Sequence, residues 1–326
     1  MRFLLVLMLT LPVLVAPASA DYSDKPEVIE FVVELEQSDG FSRAELMDVF
    51  SRATYQQSIV DAISKPAEKV LTWKEYQDIF LTSARAEAGR QFMMDNHEAL
   101  IAAEKEFGVP PVIVAAIIGV ETMYGRFRGR YRVIDALATL AFDYPPRASF
   151  FRSELKHFLL LAREENQSPL DPVGSYAGAM GYGQFIPSSY RHYAVDFDGD
   201  GVRDIWNNRT DAIGSVANYL ARHGWRRGEP IVTQVYPGDA AVDVFTSELE
   251  PDTSLAELAA VGVVAAGVSA VGTVSPLRFE GKDGSEFWLG FPNFYTITRY
   301  NHSKLYAMAV FQLSERLRAP LVSQTP

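Results

Sequence analysis

Glu121 is the residue whose setting best suits proton transfer. It follows Val112-Ile113-Val114-Ala115-Ala116-Ile117-Ile118-Gly119-Val120 on one predicted helix, with Ile117 and Ile118 a turn behind it. A carboxyl in apolar surroundings loses hydration of its charged form, so its pKa is expected to rise. Such an acid keeps its proton near neutral pH and can give it to a leaving oxygen. Periodicity alone leaves a second reading open, a glutamate that merely surfaces at a helix end.

A second cluster runs from Gly174 to Tyr190, Gly-Ser-Tyr-Ala-Gly-Ala-Met-Gly-Tyr-Gly-Gln-Phe-Ile-Pro-Ser-Ser-Tyr. Glycine at 174, 178, 181 and 183 lets backbone approach a ligand closely. The interleaved aromatics and amides suit sugar rings and N-acetyl groups. A plain flexible loop fits poorly, since it would not carry Phe185, Ile186, Met180 and tyrosines at 176, 182 and 190.

Asp196-Phe-Asp-Gly-Asp-Gly-Val-Arg-Asp204 is a third motif. Carboxylates at Asp196, Asp198, Asp200 and Asp204, with Gly201 between and the Val202 carbonyl in the backbone-ligand place, follow the EF-hand pattern for Ca²⁺. Asn207 stands where a bidentate Glu is usual, so the loop departs there. An acidic turn without metal is the alternative, although carboxylates so close would repel one another without a cation. Arg126, Arg128, Arg130 and Arg132 alternate just after Glu121, which predicts one face of an extended segment. That face would meet an anionic ligand or form a solvated basic rim.

The elements that hold these residues are mostly helical. Apolar spacings of three and four predict helices over 25–37, 43–63, 73–81 and 84–107. Pro110-Pro111 opens the strongly apolar helix that ends with Gly125 as its C-cap. Asp135 reads as the N-cap of a helix to Phe142, and further helices are expected over 148–166, 211–223 and 303–317. Between 229 and 294 the texture changes. Short β-rich runs at 231–236, 242–245 and 286–289, with a helix capped by Ser254, suggest a small α/β lobe.

Composition narrows the classes. Arg2 followed by an apolar run and Ala18-Ser19-Ala20 has the layout of a secretory signal peptide over residues 1–20. The mature chain is then expected to start near Asp21, to be soluble and to act in the periplasm. Without Arg2 it carries 29 basic against 41 acidic residues, net −12, which argues against nucleic acid. The absence of cysteine removes thiol nucleophiles and lipid attachment at an N-terminal Cys. The five histidines form no i, i+4 pair, so a zinc site is not expected. About 305 residues exceed what one core usually supports, which predicts subdomains.

Taken together these residues resemble a known family. Glu121-Thr122-Met123-Tyr124-Gly125 resembles the E-T-x-Y/F-G motif of lysozyme-like lytic transglycosylases. The stretches 135–145, 174–190, 211–219 and 297–301 are similar to the lytic murein transglycosylase B family, so the likeness spans nearly the whole mature chain. It implies a mainly α fold. A helical domain (21–107) and a small β-containing domain (229–294) would flank a lysozyme-like core (108–228), with the C-terminal helix (295–326) returning to that core. Glu121 matches the family's catalytic acid/base. Ser175 and Gln184 match residues near the sugar's N-acetyl group, and Tyr219, Tyr300, Asn301, Tyr306 and Tyr76 match the cleft lining. The family's arginine pair after Tyr-Pro reads Pro146-Arg147 here, so Arg147 carries over without its partner. The family closes its metal loop with a later Asp, which points to Asp211 beside Asp196, Asp198, Asp200 and Val202.

The implied activity is cleavage of the MurNAc–GlcNAc bond of peptidoglycan to a 1,6-anhydro product. Ca²⁺ would have a structural role, there would be no organic cofactor, and cell-wall synthesis or hydrolysis enzymes would be candidate partners. A hydrolase would need a second carboxylate about 5 to 9 Å from the first. The nearest candidates, Asp135 and Asp143, have structural readings instead. The rival classes are a lysozyme-type hydrolase and a non-catalytic glycan-binding module.

Overall fold

The computed structural model describes residues 22–64, 71–265 and 271–318. The signal-peptide expectation lies outside these residues. Among them, no helix is long and apolar enough to cross a membrane.

The architecture is mainly helical around one central rod. Helix α7 (Pro111–Thr122) is apolar on every face, and Ile113 to Ile118 are fully buried. A helix without a polar face must be surrounded by protein. Helices α5 (Ser83–Asp95), α6 (His97–Phe107), α11 (Arg209–Arg222) and α14 (Lys304–Arg318) pack against it. To one side α8 (Val133–Phe142) and α9 (Ala148–Glu164) pair, and α10 (Pro187–Tyr193) lies on α9. The N-terminal helices α1 (Pro26–Asp39), α2 (Arg43–Arg52), α3 (Gln57–Ile63) and α4 (Trp73–Phe80) complete this body. A two-stranded ribbon, β1 (Tyr131–Arg132) with β2 (Val173–Gly174), ties the segment after α7 to the glycine-rich stretch.

A smaller antiparallel sheet has the order β3-β6-β5-β4, built from β3 (Val232–Val235), β4 (Thr253–Ser254), β5 (Thr273–Gly281) and β6 (Gly284–Gly290). Its register pairs Leu277 with Trp288 and Val232 with Gly290. Val235, Phe245, Leu258, Val274 and Leu289 form a second core here, capped by α12 (Leu255–Ala260). Helix α13 (Pro292–Thr298) leads the chain back to α14.

Several expected boundaries move, each for a visible reason. The helix expected over 43–63 breaks at Ala53–Gln56. The amides freed there are captured by α8, Thr54 N–H donating to Asp135 Oδ1 at 2.9 Å and Gln56 N–H to Thr139 Oγ1 at 3.1 Å. The helix expected over 84–107 breaks at Asn96, whose side-chain amide donates to the Phe92 carbonyl. Asp135 is not an N-cap. Helix α8 starts earlier, at Val133, and Asp135 is buried in its first turn against Arg132. The run 242–245 is part of a 3₁₀ turn, Asp239–Val244, rather than a strand. Strand β5, the longest in the sheet, was not expected, because Pro276, Arg278 and Glu280 interrupt its apolar pattern.

The end of α7 is also displaced. Met123 takes the left-handed C-cap position (φ 51°), Tyr124 follows at 59° and Gly125 at 90°. Tyr124 N–H donates back to the Ile118 carbonyl, as in a Schellman turn. This folds the Tyr124 ring into a slot between two helices. A Cβ built on Gly119 would lie 2.5 Å from that ring, and one on Gly89 2.2 Å from its hydroxyl. Gly119→Ala should therefore lower stability. The helix-propensity gain of about 1 kcal/mol is outweighed by overpacking of roughly 1 to 3 kcal/mol. Chemical denaturation reads this, and a more stable variant would contradict the slot.

Candidate active site

Glu121 sits on the last turn of α7, half-buried, with Ile117, Ile118 and Val120 buried around it. The hydroxyl of Tyr306, from α14, donates to Glu121 Oε1 at 2.7 Å. Tyr306 is only 2% exposed. Burial first, and then the Glu121 charge, push its phenol pKa well above the ordinary value. Tyr300 is raised for the same two reasons, so both rings stay neutral hydrogen-bond donors.

These tyrosines continue as a wall. Tyr300 and Tyr306 lie nearly parallel with centroids 6.4 Å apart, and Tyr219 meets Tyr300 edge-on at 4.7 Å. Tyr219 is anchored by its hydroxyl on the Arg299 carbonyl and stacks on His223 at 4.0 Å. Tyr300 reaches the glycine-rich segment, donating to the Gly183 carbonyl at 2.6 Å. A Cβ on Gly183 would fall 2.7 Å from that hydroxyl, so the residue type follows from the close approach. Tyr76 is buried on α4 between Trp73 and Phe80, close enough to Tyr306 to act on its ionisation. Asn301 is half-buried just after Tyr300.

The glycine-rich segment is held by its own polar groups. Ser175 Oγ accepts from the amides of Ala177 (3.2 Å) and Ala179 (3.1 Å), which leaves its own proton free to donate outward. Gln184 adopts a left-handed φ of 52°, and its side-chain amide donates to the Gly181 carbonyl at 3.0 Å. Thr122 joins this segment to α7. Its hydroxyl donates to the Tyr182 carbonyl at 3.0 Å and accepts from Gly125 N–H at 2.9 Å. Sequence reasoning quoted Thr122 and Tyr182 without giving them a role, because their contact spans 60 residues. Arg85 was missed altogether. Its Nη1 donates to the Gly119 carbonyl at 2.5 Å, next to the catalytic turn.

Arg147 is not drawn into this group by any described contact. It is exposed, with its guanidinium 4.3 Å from the Phe150 centroid and 5.1 Å from that of Phe151. The four alternating arginines do not share a face either. Arg132 turns inward to Asp135 and Arg128 to the Trp206 carbonyl, while Arg126 and Arg130 lie over Phe127 and Tyr131.

In the acidic loop, Asp196, Asp198 and Asp211 bring carboxylate oxygens within 4.8 Å of one another. Asp211 is fully buried, and that burial raises its pKa, opposed by hydrogen bonds from the Phe197 and Asp204 amides. Asp200 falls outside this triad and accepts from Val202 N–H, whereas Asp204 caps the turn at Trp206 and Asn207. No cation side chain pairs with the triad among the described residues. Hard oxygen donors converging in this way suit Ca²⁺.

The two candidates for a second carboxylate, Asp135 and Asp143, are both committed elsewhere. Asp135 receives Arg132 at 2.8 Å and Thr54 N–H. Asp143 accepts from Tyr22 at 2.6 Å and from Lys25.

This chain matches the Transglycosylase SLT domain family over residues 23–315. It is 41% identical over 307 residues to membrane-bound lytic murein transglycosylase B of Escherichia coli, covering 90% of this chain and 83% of that one. The soluble lytic transglycosylase SltB1 of Pseudomonas aeruginosa superposes with a TM-score of 0.86 at 53% identity, over 90% of this chain and 98% of its own. The Escherichia coli lytic transglycosylase Slt35, solved in complex with calcium, superposes with a TM-score of 0.85 at 42% identity, over 92% and 95%. The buried helix that carries Glu121, the tyrosine wall and these likenesses over nine-tenths of the chain place it in the lytic murein transglycosylase B family, the lytic transglycosylases of peptidoglycan.

Proposed function

We propose that Glu121 is the one acid and base of the cleavage and that no water is used. Glu121 gives its proton to the glycosidic oxygen between MurNAc and GlcNAc, and the C1–O bond breaks. The muramoyl N-acetyl oxygen closes on C1 as an oxazolinium-like ion. The Glu121 carboxylate then takes the proton of O6 of the same sugar, and O6 forms the 1,6-anhydro bond to C1 as the C1–O bond to the acetyl oxygen breaks and the acetamido group is restored. Intramolecular attack of this kind reaches effective molarities of roughly 10⁵ to 10⁸ M, so O6 outcompetes water without a second carboxylate. The observation that carries this reading is the division of labour among acids. Glu121 accepts a hydrogen bond from the neutral phenol of Tyr306, while Asp135 and Asp143 are bound into contacts with Arg132 and Lys25.

In this reading Ser175 and Gln184 orient the N-acetyl group, and Tyr219, Tyr300, Asn301 and Tyr306 line the sugar subsites. Asp196, Asp198 and Asp211, with Asp200 and the Val202 carbonyl from the same loop, would hold one Ca²⁺. The ion would neutralise the triad and pin the loop between the glycine-rich segment and α11. The chain would act on peptidoglycan after export through the segment 1–20, and cell-wall synthesis or hydrolysis enzymes would be its neighbours there.

Glu121→Gln should lose turnover by at least the roughly 10² to 10⁴ associated with general acid–base catalysis. The near-isosteric variant should keep its melting temperature and its affinity for glycan strands. Asp135→Asn and Asp143→Asn should cost stability and only a modest factor in rate. Loss of turnover in Asp135→Asn equal to that in Glu121→Gln, with the fold intact, would refute the assignment.

Chelation should lower the melting temperature by about 4 °C. This is the shift expected for removing a ligand present at roughly a hundred times its Kd from a chain of this size. Activity at low temperature should persist. An unchanged melting curve would remove the metal from the account.

A further inference from the structure

Arg85 is a half-buried cation for which the cleavage chemistry has no use. Burial pushes its pKa down, and the titratable groups that act on it are the phenols of Tyr124 and Tyr76, with no carboxylate among them. Its described side-chain hydrogen bonds all go to backbone carbonyls at the ends of two helices. Nη1 donates to Gly119 at 2.5 Å and to Val120 at 3.5 Å, in the last turn of α7. Nη2 donates to Ile79 at 3.4 Å, in the last turn of α4. Cζ lies 5.0 Å from the Phe80 ring centroid, and Nε is buried without a hydrogen bond. A cation is favourable at a helix C-terminus, and here one guanidinium serves two. Its planar fork can donate in two directions from one place, whereas an ammonium is a compact point charge.

The corner between α4 and α5 is tied on its other side to α14. Arg316, on α14, donates to the Leu81 carbonyl. One corner is thus held to α7 by Arg85 and to α14 by Arg316, and these are the helices that carry Glu121 and Tyr306. The 2.7 Å hydrogen bond between those two side chains closes the same circuit. A shift of α7 against the corner would move the Glu121 carboxyl relative to Tyr306 and to the bond it protonates. We propose that Arg85 is a positioning residue for the cleavage, an assignment that rests on Glu121 being its acid and base. The fork sets the last turn of α7 against α4 and α14, and it acts through the backbone of Gly119 and Val120 rather than by meeting the sugar.

Steady-state kinetics on soluble glycan strands, with R85K, R85M and E121Q beside the native chain, test it. R85K keeps the charge and loses the fork, and R85M keeps the length and loses both. Each should lower kcat about tenfold, less than the roughly 10²-fold of a full 1 Å misplacement, with KM within about twofold. The pH–rate profile of R85K should coincide with the native one, because the cation stays and only the geometry changes. Glycan bound per chain counts the folded molecules to which kcat refers, and should R85M fail to fold, R85K alone decides. Native kcat in R85K would show that charge or bulk suffices and overturn the assignment. A loss confined to KM, a displaced pH profile in R85K, or a lower melting temperature at unchanged kcat would overturn it too. Turnover of E121Q near the native level removes the Glu121 reading and the role of Arg85 with it. Inactive E121Q beside fully active R85K removes Arg85 alone.

Discussion

Helix α7 is buried on all sides, so the carbonyls of its last turn have no water to turn to. Each orphan acceptor must then find a protein donor. The Ile118 carbonyl accepts from Tyr124 N–H, and the Gly119 carbonyl from Met123 N–H and Arg85. Those bonds fix the backbone on both sides of Glu121 and fold Tyr124 into its slot between Gly89 and Gly119. Thr122 carries the same constraint into the glycine-rich segment, so the carboxyl and the surface facing it are positioned as one unit. A side chain that must act on both an oxygen leaving and an oxygen arriving needs this rigidity, since small displacements cost orders of magnitude in rate.

The second constraint is the allocation of charge. Buried carboxylates are tolerated when they are paired or hydrogen-bonded. Asp135 and Asp143 satisfy that rule by tying the N-terminal helices to α8, through Thr54 and Arg132 in one case and Tyr22 and Lys25 in the other. The acidic loop satisfies it differently, with backbone amides folded onto Asp196 and Asp211 and three carboxylates left converging. Glu121 accepts from the neutral phenol of Tyr306, a hydroxyl that can either donate or accept.

Much of this was legible in the sequence because it is local. The apolar run into Glu121, the glycine spacing and the alternating carboxylates each lie within about twenty residues of continuous chain, and the mainly helical class follows from periodicity. What was not legible depends on distant partners. The break at Ala53–Gln56 exists because Asp135 and Thr139 capture its amides across about eighty residues. Asp135 looked like a cap because its own segment reads that way, but Arg132 draws it inward. The alternation of arginines predicted one face, yet each finds a different partner. Strand β5 carries charge and proline, and only its pairing with β6 makes it a strand. Arg85 reaches the catalytic turn from 34 residues away, and no pattern near Glu121 announces it.

The account stands on one carboxyl doing both proton transfers without water at C1. Digestion of sacculi in ¹⁸O-enriched water, followed by mass spectrometry of the released muropeptides, tests that directly. The account predicts 1,6-anhydro-MurNAc ends, lighter by one water than reducing ends and free of ¹⁸O. Reducing ends carrying ¹⁸O as the main product would mean that the site positions a water after all, and that the chain works as a hydrolase.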